Sequence, residues 1–157
     1  MYFYYYSSPV GTLRLAGTNE ALHELRFPNA FAIGEAPSGW QFNEACFEKA
    51  CSQLDDYFRG DRRQFDLPLA KSGTQFQQAV LSALQTIPYG DTRAYADIAT
   101  QIGRPKAVRA VGAANGRNPI AIIIPCHRVI GRDGSLTGFG GGLKTKQKLL
   151  DLEAEHR

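Results

Sequence analysis

The sequence has no apolar run near the ~18 residues that a membrane-spanning helix requires. It opens on "MYFYYYSSPVG", which is aromatic rather than aliphatic and has no basic leader, so it does not read as an export signal. Cysteine is scarce, with three residues, too few for a disulfide framework. A reducing cytoplasm is the expected location. There is no CxxC pair and no His-x3–5-His spacing, so no metal and no cofactor are expected. Internal repeats, low-complexity segments and the glycine-lysine spacing of a phosphate-binding loop are all missing.

What is present is an ordinary globular composition, 43% hydrophobic and 21% charged over 157 residues. That length suits one mid-sized domain or two small ones sharing an interface. The charge is uneven. Residues 1–90 hold 7 Lys and Arg against 9 Asp and Glu, a net −2, whereas residues 91–157 hold 11 against 6, a net +5. Basic charge gathered in one segment is the footprint of a nucleic-acid-binding half, although surface solvation alone can produce it.

The first third reads as a small antiparallel sheet: "YFYYY", "GTLRLAGT" and "ALHELRF" are strand-like. The stretch Phe27 to Trp40 has the composition of a loop. Phe47, Ala50, Cys51, Leu54 and Phe58 then make one helical face, ended by Gly60. Residues 63–73 look like an extended linker, and a second helix starts after Thr74, a natural N-cap. The division is expected at residue 70, giving an α/β part over 1–70 and a mostly helical part over 71–157.

In "RAYADIATQIGRPKAVRAVGAANGRNP" a helix over Ala94 to Ile102 is expected to stop at Gly103. Pro105 is expected to open a second helix reaching about Asn115. Two helices joined by a short glycine-containing turn form a helix-turn-helix. Val108 and Val111 are assigned to the core. Arg109, Gly112 and Ala113 share a face that is bare apart from the arginine. Burying an unpaired arginine is costly, so this face is expected to be exposed and directed to DNA.

The stretch "IIIPCHRVIG" raises the question of whether Cys126 is a packed core residue, a metal ligand or a nucleophile. Pro125 suits the first position of a helical turn, which would set Cys126 at a helix N-terminus. The backbone amides there, with His127 and Arg128, are expected to lower the thiol pKa. Adjacent residues on such a turn do not face each other, so a water is the natural bridge from Cys126 to His127. A histidine base needs an orienting group. In "KTKQKLLDLEAEH", Lys144, Lys148, Asp151 and Glu155 make a polar face opposite Leu143, Leu149, Leu150 and Leu152, and Glu153 falls on the buried side. A glutamate there needs a partner, and His127 is offered as that partner.

"RAVGAAN", "NP", "IPCHRVIG" and "GGLKTKQKLLDLE" together resemble the active-site half of the O6-alkylguanine-DNA alkyltransferases, from about Leu67 to Glu153. "SSPVGTLRLAG" and "LDDYFRGDRRQFDLPL" resemble that family's N-terminal domain less specifically. The resemblance implies an α+β chain: a small N-terminal sheet with a helix, then a winged-helix-like helix-turn-helix domain carrying the cysteine. It also implies a monomer that binds alkylated double-stranded DNA through the minor groove and moves an alkyl group from guanine O6 to Cys126, once per molecule. His127 becomes the water-linked base, Glu153 its orienter, and Asn118 the support of the active-site turn. Tyr95 is implied to meet the flipped nucleotide and Arg109 to fill the gap it leaves. Arg128, Val129, Phe139 and Gly140 complete the implied DNA and base contacts.

The chain departs from relatives at Phe139, where several carry tyrosine, at Gly140, where some carry serine, and at Leu81, where many carry tryptophan. It lacks the Cys and His set that binds zinc in some. A cysteine-nucleophile hydrolase and a non-repairing binder of alkylated DNA are the alternatives.

Overall fold

The computed structural model describes residues 1–27, 35–136, 139 and 141–157. Strands β1 (Tyr2–Ser8), β2 (Gly11–Gly17) and β3 (Leu22–Arg26) form the expected antiparallel meander. A two-residue strand β4 (Gln41–Phe42) adds to β1 in parallel, giving the order β3-β2-β1-β4. Leu13 and Leu15 of β2 are fully buried on the core face. Between them Arg14 is also covered, with its guanidinium over Trp40 and bonded to Glu24.

An uncovered strand edge presents unpaired backbone groups. The outer edge of β3 is closed by two segments from further along the chain. Leu22 N donates to Pro68 O and Ala70 N to Leu22 O, while Leu25 N donates to Pro119 O and Ala121 N to Leu25 O at 3.0 Å. The second of these segments runs directly into Cys126, so the sheet braces the chain on which the cysteine sits.

Helix α1 (Glu48–Phe58) packs Ala50, Leu54 and Tyr57 into the core. Tyr57 thus takes the central place expected for Phe58, which is only partly buried. Helix α2 (Gln75–Leu84) begins as expected, with Thr74 Oγ1 accepting from Gln77 N at 3.1 Å. The short strand β5 (Arg93–Ala94) leads into α3 (Tyr95–Gln101), and α4 (Val108–Gly116) follows. Gly103 ends α3 with φ +78, a conformation that side-chain-bearing residues rarely adopt.

Pro105 does not open α4. It occupies a turn closed by Ala107 N to Arg104 O at 2.9 Å, where its fixed φ suits the second position. The helix therefore starts at Val108, which is 38% exposed rather than in the core, while Val111 is buried. Arg109 and Ala113 are exposed, as their bare face suggests. A strand β6 (Val129–Ile130) pairs in parallel with β5. Helix α5 (Leu143–Glu155) closes the chain, with Leu143 49% exposed and Lys146, Leu149 and Glu153 buried. Among the described residues no helix is long and apolar enough to cross a membrane.

Candidate active site

The chain reaches Cys126 through two consecutive three-residue turns. Ile123 N donates to Ala121 O at 2.8 Å around Ile122, whose φ of 69° is unusual for a β-branched residue. Cys126 N donates to Ile124 O at 2.8 Å around Pro125, at φ −82° and ψ 66°. Backbone held in so sparse a region persists only where its surroundings over-determine it. Here Asn118 supplies the clamp: its Nδ2 donates to Ile124 O at 2.7 Å and its Oδ1 accepts from Ile120 N at 3.0 Å. Asn115, not foreseen from sequence, adds a long bond from Nδ2 to Cys126 O at 3.4 Å.

Pro125 precedes, rather than begins, a single 3-10 turn, Cys126–Arg128. So short a turn has little dipole, and Cys126 is 5% exposed. Burial pushes its thiol up, opposed by the Asn118 side chain, the Lys146 charge and nearby backbone amides. The net direction is upward. The lowered pKa expected from sequence is therefore corrected, because desolvation of a thiolate outweighs the donors around it. The resting residue is a neutral thiol that needs a base.

His127 is fully buried, and its Nε2 lies 2.6 Å from Glu153 Oε2. Glu153 is fully buried as well. Its Oε2 also accepts from Tyr57 Oη at 2.6 Å and Arg128 Nη2 at 3.1 Å; its Oε1 accepts from Arg128 Nε at 2.7 Å. Gly90 N completes the set at 3.4 Å. Burial alone would raise the Glu153 pKa, but the hydrogen bonds of His127 and Arg128, the Arg128 charge and, in acid where His127 is protonated, the His127 charge outweigh it and hold it down to about 2. Burial lowers His127, with Glu153 opposing. The pair is thus a carboxylate beside a neutral imidazole. Since Glu153 can only accept, Nε2 carries the proton and Nδ1 presents its lone pair. Among the described residues Nδ1 has no hydrogen-bond partner.

Arg128 is placed differently from the expectation that it meets DNA. It is 6% exposed, forked onto Glu153, with Nη1 donating to Ile87 O at 2.8 Å. A guanidinium committed to a buried carboxylate is not offered to a phosphate or base. The Val129 side chain is likewise fully buried, and its carbonyl accepts from Lys146 Nζ at 2.6 Å. Lys146 is fully buried and lies 6.0 Å over the Phe139 ring. It was missed from sequence, although it shares the α5 stripe with Leu149 and Glu153. Phe139 also packs on Phe27, with ring centroids 5.3 Å apart. Gly140 lies outside the described residues.

The pairing of Ala94 with Ile130 sets Tyr95, the first residue of α3, beside the chain leaving the Cys126 turn. On the α4 side, a Cβ added at Gly112 would sit 3.8 Å from the Tyr95 ring, so the bare face of α4 abuts this tyrosine. The structure therefore brings Cys126, His127, Glu153 and Asn118 together, with Tyr95 bordering α4 and Arg109 exposed on that helix.

Residues 75–155 match the family described as 6-O-methylguanine DNA methyltransferase, DNA binding domain, and residues 1–71 match 6-O-methylguanine DNA methyltransferase, ribonuclease-like domain. The chain belongs to the 6-O-methylguanine DNA methyltransferase family. Relatives in this family include a methylated-DNA–protein-cysteine methyltransferase of Methanosarcina acetivorans, 52% identical over 153 residues, 98% of each chain. One of Mycolicibacterium paratuberculosis is 53% identical over 149 residues, covering 95% of this chain and 90% of the relative. The crystal structure of Mycobacterium tuberculosis OGT in complex with DNA superposes with a TM-score of 0.94 at 49% identity, covering 99% of this chain and 94% of that one.

The buried pair makes the methyltransferase fold acid-sensitive. Both Glu153 and His127 have folded pKa values below their ordinary ones, so the unfolded chain binds more protons in acid. The His127 contribution is complete above 6.5, its ordinary value, and is lost as pH falls below it. The Glu153 contribution is complete above 4.5 and is lost as pH falls toward about 2. Thermal melts should show Tm declining in two stages as acid is added. His127→Gln should flatten the upper stage. An upper stage unchanged in that variant would show that His127 is not the group responsible.

Proposed function

We infer that this chain repairs alkylated DNA by moving an alkyl group from guanine O6 onto Cys126, once per molecule and irreversibly. The observation that carries this reading is a buried thiol next to a neutral, carboxylate-held imidazole, bordered by the exposed face of a helix-turn-helix. The likeness to methylated-DNA–protein-cysteine methyltransferases along the whole chain supports it.

In this reading the thiol proton passes through a water to His127 Nδ1, and Glu153 stabilises the imidazolium that results. The thiolate sulfur attacks the alkyl carbon and forms the S–C bond. The C–O6 bond breaks, its electron pair stays with the purine, and the purine takes up a proton as guanine leaves. Tyr95 is assigned to donate to the purine ring. The S-alkyl thioether has no good leaving group, so the protein is consumed. An acceptor that must remain a free thiol suits a reducing compartment such as the cytoplasm.

We assign residues 71–157 to DNA binding and transfer and 1–70 to a supporting α/β domain. The small side chains of α4 suit close approach through the minor groove, and the net +5 of residues 91–157 suits phosphates. The target base must leave the stack at a cost of a few kcal/mol. Arg109, exposed on α4, is the side chain assigned to fill the gap. Arg109→Ala should slow repair of duplex DNA about tenfold, roughly 1.4 kcal/mol of that cost, and leave reaction with the free alkylated base nearly unchanged. Single-turnover rates on both substrates test this, and equal losses on the two would remove Arg109 from base flipping.

A further inference from the structure

Tyr57 belongs to α1, in the part of the chain assigned to support. It is fully buried, edge-on to Phe58 and Tyr89 and tilted against Phe65. Nevertheless its hydroxyl reaches the same carboxylate oxygen as the imidazole: Glu153 Oε2 lies 2.6 Å from Tyr57 Oη and 2.6 Å from His127 Nε2. We propose that Tyr57 is a positioning residue of the proton relay: by sharing Oε2 with His127 it limits how strongly Glu153 supports the imidazolium, and so sets the pH below which transfer fails. The proposal rests on the reading of Cys126 as acceptor and His127 as its base.

Each donor to a carboxylate disperses part of its negative charge and makes it a weaker partner for the next. Burial and the neighbouring Glu153 push the Tyr57 hydroxyl well above its ordinary pKa, so it remains a donor at every working pH. Other charged and titratable groups surround the pair. Arg128 forks onto Glu153, and Gly90 N touches Oε1. Lys146 and Arg128 both disfavour a charged His127, and Cys126 is its chain neighbour. The Tyr89 ring carries Arg128 on its face, and its own hydroxyl has no hydrogen-bond partner among the described residues. Of these groups, Tyr57 alone donates a neutral side-chain hydroxyl to the oxygen that His127 uses. With that hydroxyl gone, Arg128 still fixes the carboxylate, and Oε2 turns more of its charge on the imidazole. His127 then holds a proton up to a higher pH, and a protonated His127 cannot accept one from the thiol.

The test is the single-turnover transfer rate against pH, on a duplex oligonucleotide containing O6-methylguanine, for wild type and Tyr57→Phe. The wild-type rate should fall in acid as His127 protonates. In Tyr57→Phe the midpoint of that fall should rise by about half a unit to one unit, the scale of one hydrogen bond to a charged group partly transmitted to its neighbour. A role confined to packing would lower Tm or the rate at all pH values and leave the midpoint in place; that result overturns the proposal. If Tyr57→Phe does not fold, difluorotyrosine at position 57 keeps ring and hydroxyl while strengthening the donor, and the midpoint should fall instead. A midpoint unmoved in the fluorinated protein overturns the proposal equally. A wild-type rate that does not fall in acid overturns the relay itself, which separates failure of that reading from failure of the assignment to Tyr57.

Discussion

Cys126→Ala will transfer no alkyl group and will still bind duplex DNA. The sulfur of Cys126 is the reacting atom in this account, and the other thiols cannot replace it. Burial, with Asp55 and Glu44, pushes the Cys51 thiol up to about 11, and Cys46 donates to Thr18 O at 3.5 Å. Arg109, the side chain assigned to the gap in the duplex, is exposed on α4, away from the buried Cys126 turn. Truncating one small buried side chain should cost on the order of 1 kcal/mol, which leaves the fold intact. A gel-shift titration alongside a transfer assay reads both properties. Transfer by the variant, or loss of DNA affinity in a protein that still melts cooperatively, contradicts the assignment.

Glu153→Gln is expected to slow transfer about a hundredfold at neutral pH, the usual scale of general acid–base assistance. The amide can keep one hydrogen bond to His127 but cannot stabilise an imidazolium. Raising the pH should recover part of the rate, because thiolate then forms without the base. Recovery should need distinctly alkaline conditions, since burial holds the Cys126 thiol above its ordinary value. Glu153→Leu has a second consequence. Leucine suits the apolar stripe of α5, yet it leaves the Arg128 guanidinium and the Tyr57 hydroxyl buried without their acceptor. Breaking a buried ion pair from one side costs about 3–5 kcal/mol, so this variant should melt far below wild type. Rates against pH and thermal melts check both variants. Wild-type rates in both would make Glu153 a packing residue only.

The parts legible from sequence were those carried by local spacing. Glu153 stands out because a carboxylate on an apolar helical stripe requires a partner, and the partner is the expected His127. The same reading extends to Lys146, which lies on that stripe, but the lysine was lost among its charged neighbours in "KTKQK". Tyr57 was not legible. It and Phe58 are adjacent aromatics, both within helical reach of Leu54, and the acceptor that draws Tyr57 inward lies far along the chain. The DNA contact that the resemblance implies for Arg128 fails for a related reason: a place in a motif says nothing about which way a side chain points. The thiol was misread because its charged neighbours are visible in sequence while its burial is not. That burial depends on the non-local pairing of Leu25 with residues 119–121, which local patterns do not reveal.

Intact-mass spectrometry of the wild-type protein after incubation with excess duplex DNA containing O6-methylguanine, followed by mapping of the modified peptide, reads the fate of the alkyl group. The expected result is a gain of one methyl group per molecule, permanent, and located on Cys126, with one repaired guanine for each protein consumed. An unmodified protein that has repaired many guanines, an unmodified protein that has repaired none, or a methyl group on any other residue would contradict it.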